Sequence, residues 1–228
     1  MDDDDAAEVA LPLKVLVLGD PAVGKTAYVR RLVRGQGLLG EAGKQSVPSD
    51  CFKKGYKPSK GVDFALKEFE VDGRTARLQV WDASGEHARR GEVPDVYYQD
   101  AFGALLVYDL TKHGTFENVD RWLRELRDHA EANIVVMLVG NKSDLKTQRA
   151  VETSEAMAFA EQHNLAFIET SALDASGVDV AFQNILTEIY RLMNKKQMQE
   201  GSAKQAVASK GEKISITSGE DKKKKKCC

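Results

Sequence analysis

Apolar residues fall in short blocks along this chain, and their spacing changes from block to block. Leu13 to Leu18 reads as a buried strand running into a glycine-rich turn, and Lys25 to Val33 as a helix. Gly61 to Phe69 and Arg74 to Trp81 read as two strands joined through Val71-Asp72-Gly73, a hairpin signal. Gly103 to Asp109 and Asn133 to Val139 have the near-continuous apolar character of central parallel strands, and Leu165 to Glu169 is a shorter one. Between them, Phe116, Val119, Trp122, Leu123 and Leu126 follow the three-and-four spacing of an amphipathic helix. Ala156, Phe159 and Ala160 do so again, as do Val180, Ile185, Ile189 and Leu192. Strands alternating with helices predict an α/β fold, a parallel sheet covered on both faces, with ligand expected at the carboxyl ends of the strands. No internal repeat is visible.

Three segments fall outside this rhythm. Residues 1–11 form an acidic leader, expected to be disordered. A stretch at about 35–51 has glycine and serine but no periodicity, and is longer than a compact domain normally allows. From Lys195 the composition turns to Gln, Lys, Ser, Gly and Glu, which predicts a flexible tail over 195–228 after a domain at 12–194.

Composition sharpens the picture only at the ends. A hydrophobic content of 42% and a charged content of 30% are ordinary for a soluble chain of 228 residues. The net charge of −2 hides an asymmetry between the acidic run Asp2 to Asp5 and the lysine run Lys222 to Lys226. With three cysteines, Cys51, Cys227 and Cys228, no disulfide framework is indicated and a reducing compartment is favoured. No charged-then-apolar leader and no apolar run of membrane-spanning length is present, so membrane contact is expected to be peripheral. No nucleic-acid partner is expected.

The chemistry begins at Gly19-Asp20-Pro21-Ala22-Val23-Gly24-Lys25-Thr26, which fits G-x-x-x-x-G-K-[ST]. Its glycines let backbone approach a phosphate, successive amides point inward, Lys25 supplies a point charge, and the Thr26 hydroxyl can sit on Mg²⁺. A chance glycine turn is the alternative, but the segment follows a strand and opens a helix, the context the motif requires. Asp82-Ala83-Ser84-Gly85 has a D-x-x-G form, in which a carboxylate holds Mg²⁺ through water and a glycine amide senses a terminal phosphate. Alone it is weak, since an aspartate after a strand is usually just a turn; its value comes from its position after the first motif. Asn141-Lys142-Ser143-Asp144 offers a carboxylate that accepts from the N1–H and exocyclic amine of guanine, a pattern adenine cannot reproduce. In isolation it reads as a polar loop. Thr170-Ser171-Ala172 adds backbone amides for the base carbonyl.

Four motifs in this order resemble the Ras superfamily over nearly all of Leu13 to Met193. Within it, Trp81-Asp82, Tyr97-Tyr98, Leu106 to Asp109, Phe116-Glu117-Asn118, Gly140 to Leu145 and Glu169 to Ala172 are similar to Rab GTPases. The stretch Leu105 to Asp174 is similar to the Rab-eleven subgroup of recycling endosomes. The resemblance implies a P-loop NTPase with a Ras-like domain: a six-stranded mixed, mostly parallel sheet with one antiparallel edge strand, flanked by helices on both faces. It implies GTP/GDP and Mg²⁺ as cofactors. Gly19 to Ala27, Phe52, Tyr56, Ser59, Gly85, Asn141, Lys142, Asp144, Ser171, Ala172 and Leu173 would then bind nucleotide. Thr26, Ser59 and, through water, Asp82 would serve the metal. Phe64, Trp81 and Tyr97 match an aromatic trio presented to effectors, with half-buried sheet packing as the other reading. The implied partners are effectors, an exchange factor, an activating protein, a GDP-dissociation inhibitor, an escort protein and a geranylgeranyl transferase. The implied location is the cytoplasmic face of endosomal or vesicle membranes, cycling with the cytosol.

The chain departs from that pattern in places that bear on chemistry. Lys25 and Glu86 are the catalytic candidates, but Glu86 stands where Rabs carry the glutamine that orients attacking water. A carboxylate lacks the amide donor and adds negative charge beside an anionic phosphate, so slow hydrolysis is expected. Ser59 replaces a threonine, Ser84 an alanine, Pro21 stiffens the phosphate loop, and the second switch is about one residue longer and contains Pro94. Cys227-Cys228 beside the lysine run implies prenylation of both thiols, two lipid chains being enough for stable anchoring. The leading expectation is a Rab-type trafficking switch. A hydrolysis-deficient GTP-bound scaffold and a P-loop ATPase or kinase are the alternatives, the latter opposed by Asn141 to Asp144.

Overall fold

A computed structural model of the chain describes residues 12–35, 63–71, 74–83 and 93–208. Expectations for the leader, most of the 35–51 stretch, Asp72-Gly73, Phe52, Tyr56, Ser59, Ser84, Gly85, Glu86, Cys227 and Cys228 lie outside the described residues.

The strands are β1 (Leu13–Leu18), β2 (Asp63–Val71), β3 (Arg74–Asp82), β4 (Ala101–Asp109), β5 (Val135–Asn141) and β6 (Ala166–Thr170). The helices are α1 (Lys25–Gly35), α2 (His113–Glu117), α3 (Val119–His129), α4 (Thr153–His163) and α5 (Val178–Ala208). They form one six-stranded sheet in the order β2-β3-β1-β4-β5-β6. All pairings are parallel except β2 with β3, which runs antiparallel from Asp63↔Asp82 to Val71↔Arg74. One six-stranded mixed sheet with a single antiparallel edge strand is the arrangement the resemblance implies.

Burial explains why each block took its form. Every residue of β1 is buried, because β1 is central and covered on both faces. Leu16 and Leu18 join Ala104, Leu106, Tyr108 and Leu138 in the cluster that receives Phe116, Val119, Trp122, Leu123 and Leu126. On the opposite face Tyr28 of α1 meets Phe182 of α5 at 5.4 Å between ring centroids, and Gly103 leaves room for Ile185 and Ile189. Edge strand β2 alternates instead: Lys67, Phe69 and Val71 are buried, whereas Phe64, Leu66, Glu68 and Glu70 are exposed. Pro94 opens a short 3-10 turn at Asp95–Tyr97, its carbonyl accepting from the Tyr97 amide at 2.8 Å.

Some expectations require correction. Val180 lies on the exposed side of α5; the buried stripe is Val178, Ala181, Phe182, Ile185, Leu186 and Ile189. Hydrophobicity of Val180 was outweighed by the register its neighbours impose. Strand β5 runs two residues later than its apolar run, because pairing with β4 continues to Asp109↔Asn141 and draws a polar residue into the sheet. Within the segment read as a tail, residues 195–208 continue the last helix as far as Ala208. Gln, Lys, Met and Ala propagate a helix well once it is nucleated, so the polar composition did not end it. By contact the chain divides into units Met1–Tyr190 and Arg191–Cys228, the described part of the second being helix alone. Among the described residues no helix is long and apolar enough to cross a membrane.

Candidate functional site

The carboxyl ends of β1, β3, β4, β5 and β6 deliver the sequence-predicted residues to one rim of the sheet. From β1 the chain enters the loop Gly19 to Gly24. Gly19 adopts φ +140°, and a Cβ there would stand 2.1 Å from the Val107 carbonyl oxygen, so no other residue fits without moving β4. Gly24 adopts φ +104°, where a Cβ would meet the Asn141 amide nitrogen at 2.4 Å. Between them Ala22 takes a left-handed φ of 64° despite its methyl group.

That conformation is held from behind by other elements. The Lys142 ammonium donates to the Ala22 carbonyl at 2.9 Å, and Asn141 Nδ2 donates to the Val23 carbonyl at 2.8 Å. The Asp20 carboxylate accepts from Asn118 Nδ2 at 2.6 Å and from Trp122 Nε1 at 2.9 Å, with Arg121 at 3.4 Å. Pro21 and Ala27 are partly exposed beside this network.

Lys25 closes the loop on itself, donating to the carbonyls of Gly19 at 2.7 Å and Asp20 at 2.8 Å. Burial lowers its ammonium pKa to about 8, against the opposing pull of Asp82 and Asp20. Next to it the Thr26 hydroxyl donates to Asp82 Oδ2 at 2.5 Å, joining α1 to the end of β3. A cradle of amides with a buried cation at its mouth fits a phosphate chain. One hydroxyl with one carboxylate is a hard-oxygen set that suits Mg²⁺, which keeps waters and takes phosphate oxygens rather than an all-protein cage. Among the described residues no cluster of His, Cys, Asp and Glu offers a different metal centre.

The other end of the rim is built from side chains. Asn141 Oδ1 accepts from the Ala172 amide at 3.1 Å while its Nδ2 holds Val23, so one buried side chain bridges both ends. Ser171 donates from Oγ to Asp144 Oδ1 at 2.6 Å and accepts from the amides of Leu173 and Asp174, each at 3.2 Å. The Leu173 side chain is half exposed, offering apolar surface where a flat base needs a flank. Thus Gly19 to Thr26, Asp82, Asn141, Lys142, Asp144 and Ser171 to Leu173 come together in one network.

A family model described as the Ras family matches residues 14–191. The chain belongs to the Ras family. As a Ras-family protein it is a small GTPase: a switch that binds GTP and GDP with Mg²⁺, hydrolyses GTP, and works with regulators and effectors. In this chain the Gly19–Thr26 amides and Lys25 would hold the phosphates, Thr26 and Asp82 the metal side, and Asp144 with the Ser171–Leu173 turn the base. Mg²⁺ held by Thr26 and Asp82 would supply neutralisation of phosphate charge. Lys25, already desolvated, adds a positive charge in surroundings where charge acts strongly.

Sequence reasoning missed several members of this Ras-family site. Asp109, wholly buried at the end of β4, accepts from Lys142 at 2.6 Å and from the Thr111 amide and hydroxyl at 2.9 and 2.7 Å, fixing the lysine that supports Ala22. Asn118 and Trp122 carry Asp20. The available signal was a carboxylate at the carboxyl end of an apolar strand, the place where ligands gather in such sheets. Of the aromatic trio, Phe64 is 58% exposed and Trp81 is half-buried, but Tyr97 is only 2% exposed. Its ring and that of Trp81 meet in a T-shaped contact at 5.7 Å between centroids, so Tyr97 packs behind the pair as part of the core.

Proposed function

We propose that this chain is a Rab-type switch that regulates vesicle-mediated membrane trafficking, with endosomal recycling as its setting. The observation that carries this reading is the pair Phe64 and Trp81. The rings stack at 6.1 Å on the edge hairpin, one residue along the register from the Asp63↔Asp82 pair. An exposed aromatic surface is thereby tied directly to the strand end bearing the metal-side carboxylate. Lys14 lies 4.2 Å from the Trp81 ring centroid on β1, adding a cation–π contact that steadies it. The Rab-like segments Phe116 to Asn118 and Gly140 to Leu145 support the same assignment.

In this reading the GTP-bound chain recruits effectors through Phe64 and Trp81. An exchange factor and an activating protein set its cycle. Geranylgeranyl chains on Cys227 and Cys228, assisted by Lys222 to Lys226, hold it on the cytoplasmic face of endosomal or vesicle membranes. An escort protein and a geranylgeranyl transferase install the lipids, and a GDP-dissociation inhibitor returns the chain to the cytosol. Glu86 makes hydrolysis slow. The second reading, a hydrolysis-deficient scaffold held in the GTP state, is favoured by the same residue.

Single-turnover hydrolysis by the purified chain and by Glu86→Gln separates them. A slow wild-type rate that the substitution accelerates supports the switch. No turnover even with glutamine restored and an activating protein present supports the scaffold. Intact-mass measurement of the protein from its native cells tests the lipid assignment, which free thiols at both cysteines would overturn.

A further inference from the structure

We infer that Arg31 is a positioning residue for guanine selection, acting on Asp144 through the backbone of the 171–174 turn. Arg31 lies on α1, six residues beyond Lys25 and far in sequence from the base end. Its guanidinium grips two consecutive carbonyls there: Nε donates to Ala172 O at 2.9 Å and Nη2 to Leu173 O at 2.5 Å. A planar fork on adjacent carbonyls fixes orientation as well as distance.

Peptide planarity carries that orientation across the turn. In a trans peptide the N–H points away from the C=O of the same plane. The carbonyl of Ala172 shares its plane with the amide of Leu173, and the carbonyl of Leu173 with that of Asp174. With both carbonyls drawn to Arg31, both amides are directed to the other side, where each donates to Ser171 Oγ at 3.2 Å. With two donors on its oxygen, the Ser171 hydroxyl turns its own proton to Asp144 Oδ1 at 2.6 Å. Arg31 thus grips the turn from outside, Ser171 gathers it from inside, and Asp144 receives the result. The carboxylate has one oxygen committed to Ser171, which sets the direction of the other.

The arrangement also explains why an arginine on the phosphate-side helix matters to the base. Lys25 and Thr26 occupy the first turn of α1 and Arg31 the second, so one rigid element registers both ends of the site. Simple stapling of α1 to the 171–174 turn would stabilise the fold without touching base preference. The two roles differ in what they do to a ligand lacking the exocyclic amine.

The inference rests on Asp144 reading guanine, and the experiment keeps the two apart. The full chain, Arg31→Met and Arg31→Lys are each titrated with GDP and with IDP, which lacks that amine. Amide hydrogen exchange at Leu173 and Asp174 is followed in the nucleotide-free proteins. The wild type is expected to prefer GDP by roughly tenfold or more, the range for a hydrogen bond to a charged acceptor. Arg31→Met is expected to weaken GDP by roughly tenfold and IDP much less, collapsing the preference, and to speed exchange at both amides. Arg31→Lys, which reaches one carbonyl, should restore part of the preference. It carries the comparison by itself if the methionine variant does not fold. Equal weakening of GDP and IDP in the variants, or a preference that survives them, overturns the role of Arg31 alone. A wild type that binds GDP but does not distinguish it from IDP overturns the Asp144 reading, and this inference with it.

Discussion

At the phosphate end of the rim the surfaces facing a ligand are mostly backbone, whereas at the base end they are mostly side chains. The phosphate loop needs two glycines and one left-handed alanine to form its cradle, and it is held by donors from Asn141 at the end of β5, Lys142 just beyond it, and Trp122 of α3. The base end also turns through left-handed residues, Lys142 and Ala175, but its side chains Asn141, Asp144 and Ser171 make the contacts that shape it. The phosphate end is therefore governed by conformation and by one desolvated charge. The base end is governed by hydrogen-bond complementarity. Substitutions and pH separate the two.

The largest effect is expected where conformation has no slack. Gly19→Ala places a methyl group against the Val107 carbonyl at a backbone angle that L-residues avoid. The loop and β4 cannot both keep their positions. Calorimetric titration with GDP should show no measurable binding, and GDP binding at wild-type affinity would sink the backbone account of this end.

Asn141→Ala tests the link between the ends. The change removes a donor from Val23 O and an acceptor from the Ala172 amide, both buried. Two unsatisfied groups in such surroundings should destabilise the nucleotide-free chain by about 2 to 4 kcal/mol. Urea unfolding measures it; a loss well under 1 kcal/mol would mean that water or a neighbour replaces the amide.

Much of this architecture was legible in the sequence, and the reasons for the rest are specific. Short continuous apolar runs placed the central strands and three-to-four spacing placed most of the helices, because the same burial that orders the core writes those patterns; the break between α2 and α3 at Asn118 was not legible. The G-x-x-x-x-G-K-T segment was legible because its conformation is local. Strand ends were less so: β5 stops where its partner stops, at Asn141, which its own hydropathy does not show. The burial of Tyr97 was not legible because an aromatic ring with a hydroxyl suits surface and interior alike. The turn opened by Pro94 and the T-shaped contact with Trp81 decide for the interior. The bonds from Trp122 to Asp20 and from Arg31 to Ala172 join residues about a hundred positions or more apart. Contacts at that range leave no local pattern to read.

A smaller and more discriminating effect comes from pH. Lys25 titrates near 8 in the folded, ligand-free chain, below its value of 10.5 when unfolded. The unfolded chain binds the extra proton between these values, so nucleotide-free stability should rise as pH climbs through that window. Phosphate binding favours the protonated lysine and should follow the opposite course. Between about pH 7 and about pH 8.8, GDP affinity should fall roughly sixfold, while thermal midpoints of the nucleotide-free chain rise. Affinity independent of pH over this range would show that Lys25 does not titrate where its burial places it.

The smallest expected effect probes the support behind the base end. Arg149 forms a two-pronged pair with Glu169, at 2.8 and 2.6 Å, and Thr153 donates to the same carboxylate at 2.8 Å. Glu169 lies on β6 two residues before Ser171, so the pair steadies the strand that delivers the base-side turn. Both side chains keep about a fifth to a quarter of their surface in water, so Arg149→Met should cost about 1 kcal/mol, or about 2 to 4 °C in thermal midpoint for a domain of this size. The arginine hydrogen bonds hold the Glu169 carboxyl below its usual pKa, with burial opposing them and Thr153 assisting. A carboxylate depressed in the folded state contributes its stability above the unfolded value and loses it as pH falls through the folded one. The gap between wild type and Arg149→Met should therefore be full at neutral pH and close as acid protonates Glu169. Melting curves from neutral pH into the carboxylate range measure that closure. A gap that stays constant would assign the contribution of Arg149 to its aliphatic stem, leaving the base end supported by packing and hydrogen bonds alone.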